Sequence, residues 1–389
     1  MPSFHLFGGA MSYIISQKKL FIVIIGVAVT ILFYYLLLGD INKRESEYFH
    51  GRISKNDRKA ILMWTEFFGS SDLTNLQCKS LNCDITNNKS LLSSSDALIF
   101  HFSDINLTNL PERAFPLQKF VYFTMEAPFS TDSKITPSNY FNWVMSYNKK
   151  SDVLFQYGSK WINFTEGMNV TRLDYAYNKI LPTKKNKGVI GFISNCATNS
   201  AREKIIDKLS KYIKMDIYGK CAKDEKKKLI CPPNIRECEK NLITSYYFYI
   251  ALENSICDDY VTEKYWSRYM YNSVPIVMKR SIYVNIGIPN SSFIAIDDYK
   301  NSKEMSEHMK YLMNNPEEYI KYFSYRKENI MVMEWDEFSL VNGVCALCSK
   351  LNNFKEMMIN EKIPDVSKLY KKINNCTTLK AAHNFADEW

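Results

Sequence analysis

The 389-residue sequence lacks the signatures of the commoner catalytic sites. Its five histidines are scattered and leave no imidazole cluster for a metal. HExxH, GxSxG, the P-loop and GxGxxG are all missing, which removes the zincin, hydrolase, Walker and dinucleotide-fold readings. No Asp-x-Asp occurs, and Asp258-Asp259 and Asp297-Asp298 read as caps of the helices that follow them. A single Cys-x-x-Cys is present, Cys345-Ala-Leu-Cys348; with no second one it reads as structural. There is no internal repeat and no low-complexity tract. The first 38 residues contain neither a cysteine nor an N-x-Ser/Thr sequon.

What is there begins with an uncharged, almost wholly apolar run over residues 20–38. At about 1.5 Å per residue it reaches roughly 28 Å, enough to cross a hydrocarbon core. No small-residue cleavage site follows Leu38, so the run reads as a membrane anchor rather than a cleaved signal. Basic pairs flank both ends, Lys18-Lys19 and Lys43-Arg44, so orientation rests on the remaining chain. Six sequons lie beyond the span, at Asn88, Asn106, Asn163, Asn169, Asn290 and Asn375, and so do all ten cysteines. An even, high cysteine count fits an oxidising lumen. The expected organisation is a cytoplasmic tail (1–19), an anchor (20–38), a polar stem (39–58) and a luminal catalytic part. The net charge of +9 is carried partly by Lys184-Lys185-Asn186-Lys187 and Lys223 to Lys228. These read as solvated loops, and the compartment and the lack of a stacking motif exclude nucleic acid as partner.

Short apolar runs bounded by Asp, Asn or Pro predict buried parallel strands at Ala60–Trp64, Ala97–Phe102, Lys119–Met125 and Trp143–Tyr147. A second set restarts at Gly188–Ser194 and continues through Met215–Tyr218, Val274–Met278 and Phe293–Ile296. Ser200 with Glu203 reads as a capping box opening a helix, and helical patterns fill 303–314 and 316–328. The Lys-rich segment 184–187 reads as a linker between two α/β halves, 59–184 and 185–349, with 350–389 as a C-terminal tail. Within the second half, Phe248-Tyr-Ile-Ala-Leu ends in Glu253-Asn254, and a helix is predicted from Thr262-Glu263-Lys264 through Trp266, Tyr269, Met270 and Ser273. Its mouth and Lys264 suit a phosphate, while Glu263 suits paired sugar hydroxyls. Phosphate beside ribose means a nucleotide.

The ordered set Glu253-Asn254-Ser255, Asp259-Tyr260-Val-Thr262-Glu263-Lys264 and Val274-Pro275-Ile276-Val277 resembles the donor signature of the α1,3-fucosyltransferase family. Gly191-Phe-Ile-Ser-Asn195 leading to Arg202, Tyr122-Phe-Thr-Met-Glu126-Ala-Pro128 and Phe141-Asn-Trp143 are similar to further segments of it. The likeness covers roughly residues 60–350. Leu252, Ala127 and Lys279 stand where the family has Phe, Ser and Gly. The resemblance implies two Rossmann-like domains facing across a cleft, and a type II Golgi enzyme. Such an enzyme moves L-fucose from GDP-fucose, with inversion, to a GlcNAc hydroxyl on a glycoprotein or glycolipid glycan. It implies Glu126 as the base, and Arg202, Glu253, Asn254, Tyr260, Thr262, Glu263 and Lys264 around the donor. No metal is required on this reading, a divalent cation such as manganese serving only to speed product release. Two alternatives stay open: an inverting transferase of another nucleotide sugar, and a lectin-like luminal protein of the same fold, the latter kept by Lys279.

For the disulfides, Cys196 and Cys221 follow successive strands and would meet at one sheet edge, and Cys231 and Cys238 close a small loop. Cys78 and Cys83 then pair with Cys345 and Cys348, leaving Cys257 and Cys376 unassigned.

Overall fold

The central strands of both large sheets form where the sequence runs apolar without alternation, because a parallel strand covered on two faces has no wet side. The computed structural model describes residues 58–67, 81–131, 136–158, 160–163, 177–231, 236–327, 329–332 and 338–389. The tail 1–19, the apolar span 20–38, nearly all of the stem, Cys78 and Asn169 lie outside them. Among the described residues no helix is long and apolar enough to cross a membrane.

The first sheet contains β1 (Lys59–Met63), β2 (Cys83–Thr86), β3 (Ala97–His101), β4 (Lys119–Phe123), β5 (Trp143–Ser146) and β6 (Val153–Leu154). Its order is β2-β1-β3-β4-β5-β6, with every pairing parallel. The second contains β8 (Asn186–Phe192), β9 (Met215–Tyr218), β10 (Tyr246–Ile250), β11 (Val274–Val277) and β12 (Ile294–Ala295). It runs β12-β11-β10-β8-β9, again all parallel. A short antiparallel pair, β7 (Lys160–Asn163) with β13 (Asn329–Val332), completes the described strands. Every residue of β3, β4, β5, β10 and β11 is buried. From β8 the chain goes to β9 on one side and later returns to β10 on the other. The gap between the carboxyl ends of β8 and β10 is therefore a topological switch point, where open α/β sheets place ligands.

Outside the loop after β10, four elements differ from the sequence expectation. Lys184 is no linker residue: its ammonium is buried and donates to the carbonyls of Thr244 (2.9 Å), Tyr246 (2.8 Å) and Asn272. Burial holds its pKa well below the ordinary lysine value, and β8 begins two residues later. Ser200 does not cap the helix Arg202–Ser210; the N-cap position falls to Ala201, in a left-handed conformation (φ 53°) and with no side-chain cap. Glu203 reaches back instead to the backbone N–H (3.3 Å) and hydroxyl (2.9 Å) of Thr198. Asp297 and Asp298 hold Arg280, whose N–H and guanidinium they accept at 2.9 and 2.5 Å, while Asn301 caps the helix Ser302–Asn314.

The fourth is the chain end, which is not a tail. The helix Phe338–Asn352 puts Val344, Leu347 and Leu351 into the first sheet's core, and the helix Val366–Asn374 adds Val366 and Tyr370. Helix Leu379–Glu388 then crosses to the second sheet, where Ala382, Ala386 and Trp389 are buried. Lys204 pairs with Asp387 at 2.8 Å. Residues 338–389 thus stitch the two sheets together.

The disulfides follow this route. Cys196 is joined to Cys221, Cys231 to Cys238 and Cys83 to Cys348. Cys257, in the loop after β10, is joined to Cys376 just past the helix Val366–Asn374. Among the described residues no cysteine is free.

Candidate active site

The site grows from the carboxyl end of β10. Glu253 follows that strand and is buried, and a buried carboxylate is costly unless several donors meet it. Here Thr262 supplies its backbone N–H at 2.8 Å and its hydroxyl at 2.8–2.9 Å. Lys264 adds its ammonium at 3.1 Å. Burial raises the Glu253 pKa, with Lys264 opposing. Glu253 therefore staples the loop 253–262 shut and offers no free oxygen edge to a ligand.

This corrects the expected helix mouth. The helix is a single turn, Glu263–Trp266, and Ser267 to Tyr271 continue only as turns. The Thr262 amide already serves Glu253, and the Lys264 amide is turned toward the Thr262 hydroxyl at 3.4 Å. The positive charge here is chiefly the Lys264 side chain. Its ammonium bridges Glu253, Glu263 (3.1 Å) and Thr262 (2.9 Å). Burial alone would lower its pKa, but the two glutamates outweigh that and raise it, so the group stays charged. Glu263 remains half-exposed beside it.

The neighbouring Asn254 is held by its main chain: its carbonyl accepts from Ser200 N–H at 3.0 Å, while the Ser200 hydroxyl donates to the Glu253 carbonyl at 2.6 Å. The Asn254 Oδ1 is buried and has no hydrogen-bond donor among the described residues. Arg202 opens its helix fully buried, and donates to the carbonyls of Leu252 (2.5 Å) and Asn195 (3.2 Å). Burial lowers its pKa, with Glu253 opposing, and its Nε has no partner among the described residues.

Of the expected donor residues, Arg202, Asn254, Glu263 and Lys264 line one cleft of about 560 Å³ at the switch point, while Glu253, Tyr260 and Thr262 do not; the size suits a nucleotide. Phe192, Ser194 and Asn195 enter it from the end of β8, Gly219 and Lys220 from the end of β9, and Asn254, Glu263, Lys264 and Arg268 from the loop after β10. Gly219 has φ +89°, and a Cβ there would lie 2.8 Å from the Ile193 carbonyl oxygen, so glycine is required. Lys220, Arg236, Glu239 and Arg268 were not legible as site residues: they meet across long sequence separations. Lys279 is not among the lining residues, and its φ of −129° is extended backbone that makes no demand for glycine.

The first sheet contributes Glu126, in the turn after β4. Its carboxylate accepts from the Tyr260 hydroxyl at 3.4 Å, and its carbonyl accepts from the buried Tyr370 hydroxyl at 2.7 Å. Burial raises its pKa, Lys264 opposing. Tyr260 is packed against Tyr147, ring centroids 4.9 Å apart. Asn148, past β5, donates to the carbonyls of Asp258 (3.2 Å) and Ile373 (3.3 Å). Asp259 accepts the Lys149 N–H at 3.0 Å rather than capping a helix. The two sheets thus meet where Glu126 faces the loop 253–262. Among the described residues no group of three or more His, Cys, Asp or Glu converges as metal ligands would.

Two family profiles match this chain: "Glycosyltransferase family 10 (fucosyltransferase) C-term" over residues 182–374, and "Fucosyltransferase, N-terminal" over 56–158. The Caenorhabditis elegans alpha-(1,3)-fucosyltransferase fut-5 is 32% identical over 350 residues, covering 86% of this chain and 89% of that one. The human 4-galactosyl-N-acetylglucosaminide 3-alpha-L-fucosyltransferase 9 is 34% identical over 278 residues, covering 69% and 71%. A crystal structure of an alpha1,3-fucosyltransferase with GDP-fucose aligns with a TM-score of 0.48 at 14% identity, covering 77% of this chain and 91% of that one. By these sequence matches the chain belongs to glycosyltransferase family 10, the α-(1,3)-fucosyltransferases.

Proposed function

We propose that this protein transfers L-fucose from GDP-fucose to a GlcNAc hydroxyl of a glycan on a glycoprotein or glycolipid. The transfer is a single displacement that inverts the sugar carbon. The observation that carries this reading is the meeting of Glu126, from the first sheet, with Tyr260, from the loop that presents Asn254, Glu263 and Lys264. In it, Glu126 takes the proton of the attacking acceptor hydroxyl. Lys264 and Arg202 meet the charge growing on the departing diphosphate, and Glu263 accepts from the ribose hydroxyls. No divalent ion is required for that step. The Golgi lumen is the proposed compartment, with the apolar span 20–38 as anchor. In support, four disulfides join described cysteines, and Asn88, Asn106, Asn290 and Asn375 are exposed for glycosylation.

Offering the purified protein GDP-fucose, other nucleotide sugars and an array of GlcNAc-containing acceptors, with and without excess EDTA, tests this. Fucosylated product, formed also in chelator, is expected by mass spectrometry. Transfer from a different donor, hydrolysis without transfer, or a strict need for manganese each overturns the corresponding part.

Tyr370 touches no substrate in this scheme but fixes the main chain of Glu126. Tyr370→Phe removes one buried hydrogen bond, and a carbonyl left unpaired costs about 1–3 kcal/mol. The expected result is a kcat several-fold lower, with the GDP Kd measured by calorimetry unchanged. A matching loss of GDP affinity would place the defect in the donor half instead.

A further inference from the structure

The cleft runs on beyond the groups assigned to phosphate and ribose. Past Glu263, its wall is formed by Arg268, five residues further along, and by Glu239 on the helix Arg236–Thr244. Glu239 Oε1 accepts from Arg268 Nε at 2.9 Å and from Nη2 at 2.5 Å. Its Oε2 has no donor among the described residues, and both side chains are only partly exposed, 14% for Arg268 and 19% for Glu239. Beside the pair, Phe192 lines the same cleft and lies stacked on Tyr218, centroids 5.3 Å apart and planes 22° from parallel. The Arg268 guanidinium stands 6.0 Å from the Phe192 ring. An aromatic face next to a fixed carboxylate is what a flat heterocycle needs: a surface to stack on and a group to read its edge.

We propose that Glu239, oriented by Arg268 beside the Phe192 platform, reads the nucleobase of the donor and makes the site select guanine. The inference rests on the nucleotide reading of the cleft and deepens it. The electrostatic neighbours support it: Lys264 interacts with Arg202 and Glu263, Glu263 in turn with Arg268, and Arg268 with Glu239, a succession that matches diphosphate, ribose and base. The chemistry of the edges decides which base. Guanine presents two adjacent donors, N1–H and its 2-amino group, to which a carboxylate is complementary. Adenine presents the N1 lone pair beside its amino group, and uracil flanks N3–H with two carbonyl oxygens, so each sets a lone pair against the carboxylate. Arg268 is equally suited to the guanine O6.

Calorimetry of GDP and ADP binding to the purified full-length protein is the test, with Glu239→Gln and Phe192→Ala alongside Lys264→Ala. Glutamine keeps the shape of the side chain and still accepts from Arg268, so the variant is expected to stay folded, checked by its Tm. Its amide presents an N–H where guanine also presents donors, yet it complements the adenine edge. GDP affinity is therefore expected to fall about 10- to 100-fold, with ADP affinity held or raised. Phe192→Ala is expected to weaken both nucleotides by a similar factor, about tenfold. A wild-type ratio of GDP to ADP affinity in folded Glu239→Gln, while Lys264→Ala weakens both nucleotides, shows that the base is read elsewhere and overturns the inference. If Lys264→Ala leaves both affinities unchanged as well, the nucleotide reading of the cleft fails and this inference falls with it.

Discussion

Glu126→Gln is expected to lower turnover by about 10²–10⁴-fold while leaving GDP affinity where it is in the wild type. Glutamine preserves the reach of the side chain and can still accept from the Tyr260 hydroxyl, so the contact between the sheets survives. What it cannot do is take a proton. Glu126 lies after β4, outside the cleft proposed for the nucleotide, which is why donor affinity is expected to stay. The pH profile gives a second readout. Burial raises the Glu126 pKa, with Lys264 pulling against it and Glu263 adding to the rise. The base must be ionised to act, so wild-type kcat climbs with pH through a limb placed above the ordinary value of about 4.3. That limb is absent from the residual activity of the variant.

The same shift fixes the sign of the stability effect. A carboxyl whose folded pKa is raised contributes stability below its unfolded pKa and loses that contribution as pH rises through the folded pKa. At neutral pH the glutamine variant is therefore expected to unfold at or slightly above the wild-type Tm. Loss of turnover together with loss of Tm would mean that Glu126 supports the fold instead of the chemistry. Near wild-type turnover with a natural acceptor would move the base to another first-sheet carboxylate.

Much of the frame was legible because buried parallel strands are written as unbroken apolar runs. β9 coincides with its expected span, and β3, β4, β5 and β11 begin where expected and end one or two residues early. The grouping of the loop after β10 was legible too, since Glu253, Asn254, Thr262, Glu263 and Lys264 sit within a dozen residues. Their division of labour was not. Nothing local shows that the Thr262 amide is taken by a carboxylate nine positions upstream, so the one-turn helix looked like an open anion site. Lys184 was read by the company it keeps in a lysine-rich run, whereas the carbonyls that bury it come from residues 60 to 88 positions away. The chain end did carry a signal. Val366, Leu369, Tyr370 and Ile373 follow helical spacing, and all four pack on the first sheet's core. The partners Glu239 and Arg268 are 29 residues apart, a pairing that only the folded chain brings into view.

Lys264→Ala is expected to damage both binding and stability, and the two can be separated. The phosphate loses a charge-assisted bond, worth about 1.5–3 kcal/mol, so GDP affinity should fall roughly 10- to 100-fold. Glu253, only 5% exposed, loses its counter-charge at the same time. Stripping one partner from a buried pair costs about 3–5 kcal/mol. Because the Thr262 amide and hydroxyl still serve Glu253, the lower end of that range is expected, several degrees of Tm. Burial already raises the Glu253 pKa, and without Lys264 it rises further. The linkage has the same sign as for Glu126: stability is present below the unfolded carboxyl pKa and lost as pH climbs through the raised folded one. The Tm deficit of the variant is therefore expected to be larger at pH 7 than at pH 5. Adding Glu253→Gln to Lys264→Ala removes the stranded charge, since the amide can still accept from Thr262. The double variant is expected to regain Tm at pH 7 without regaining GDP affinity. Thermal unfolding at the two pH values and GDP calorimetry on all three proteins decide the matter. Unchanged GDP affinity in folded Lys264→Ala would leave Lys264 as a structural counter-ion to Glu253 and send the diphosphate elsewhere in the cleft.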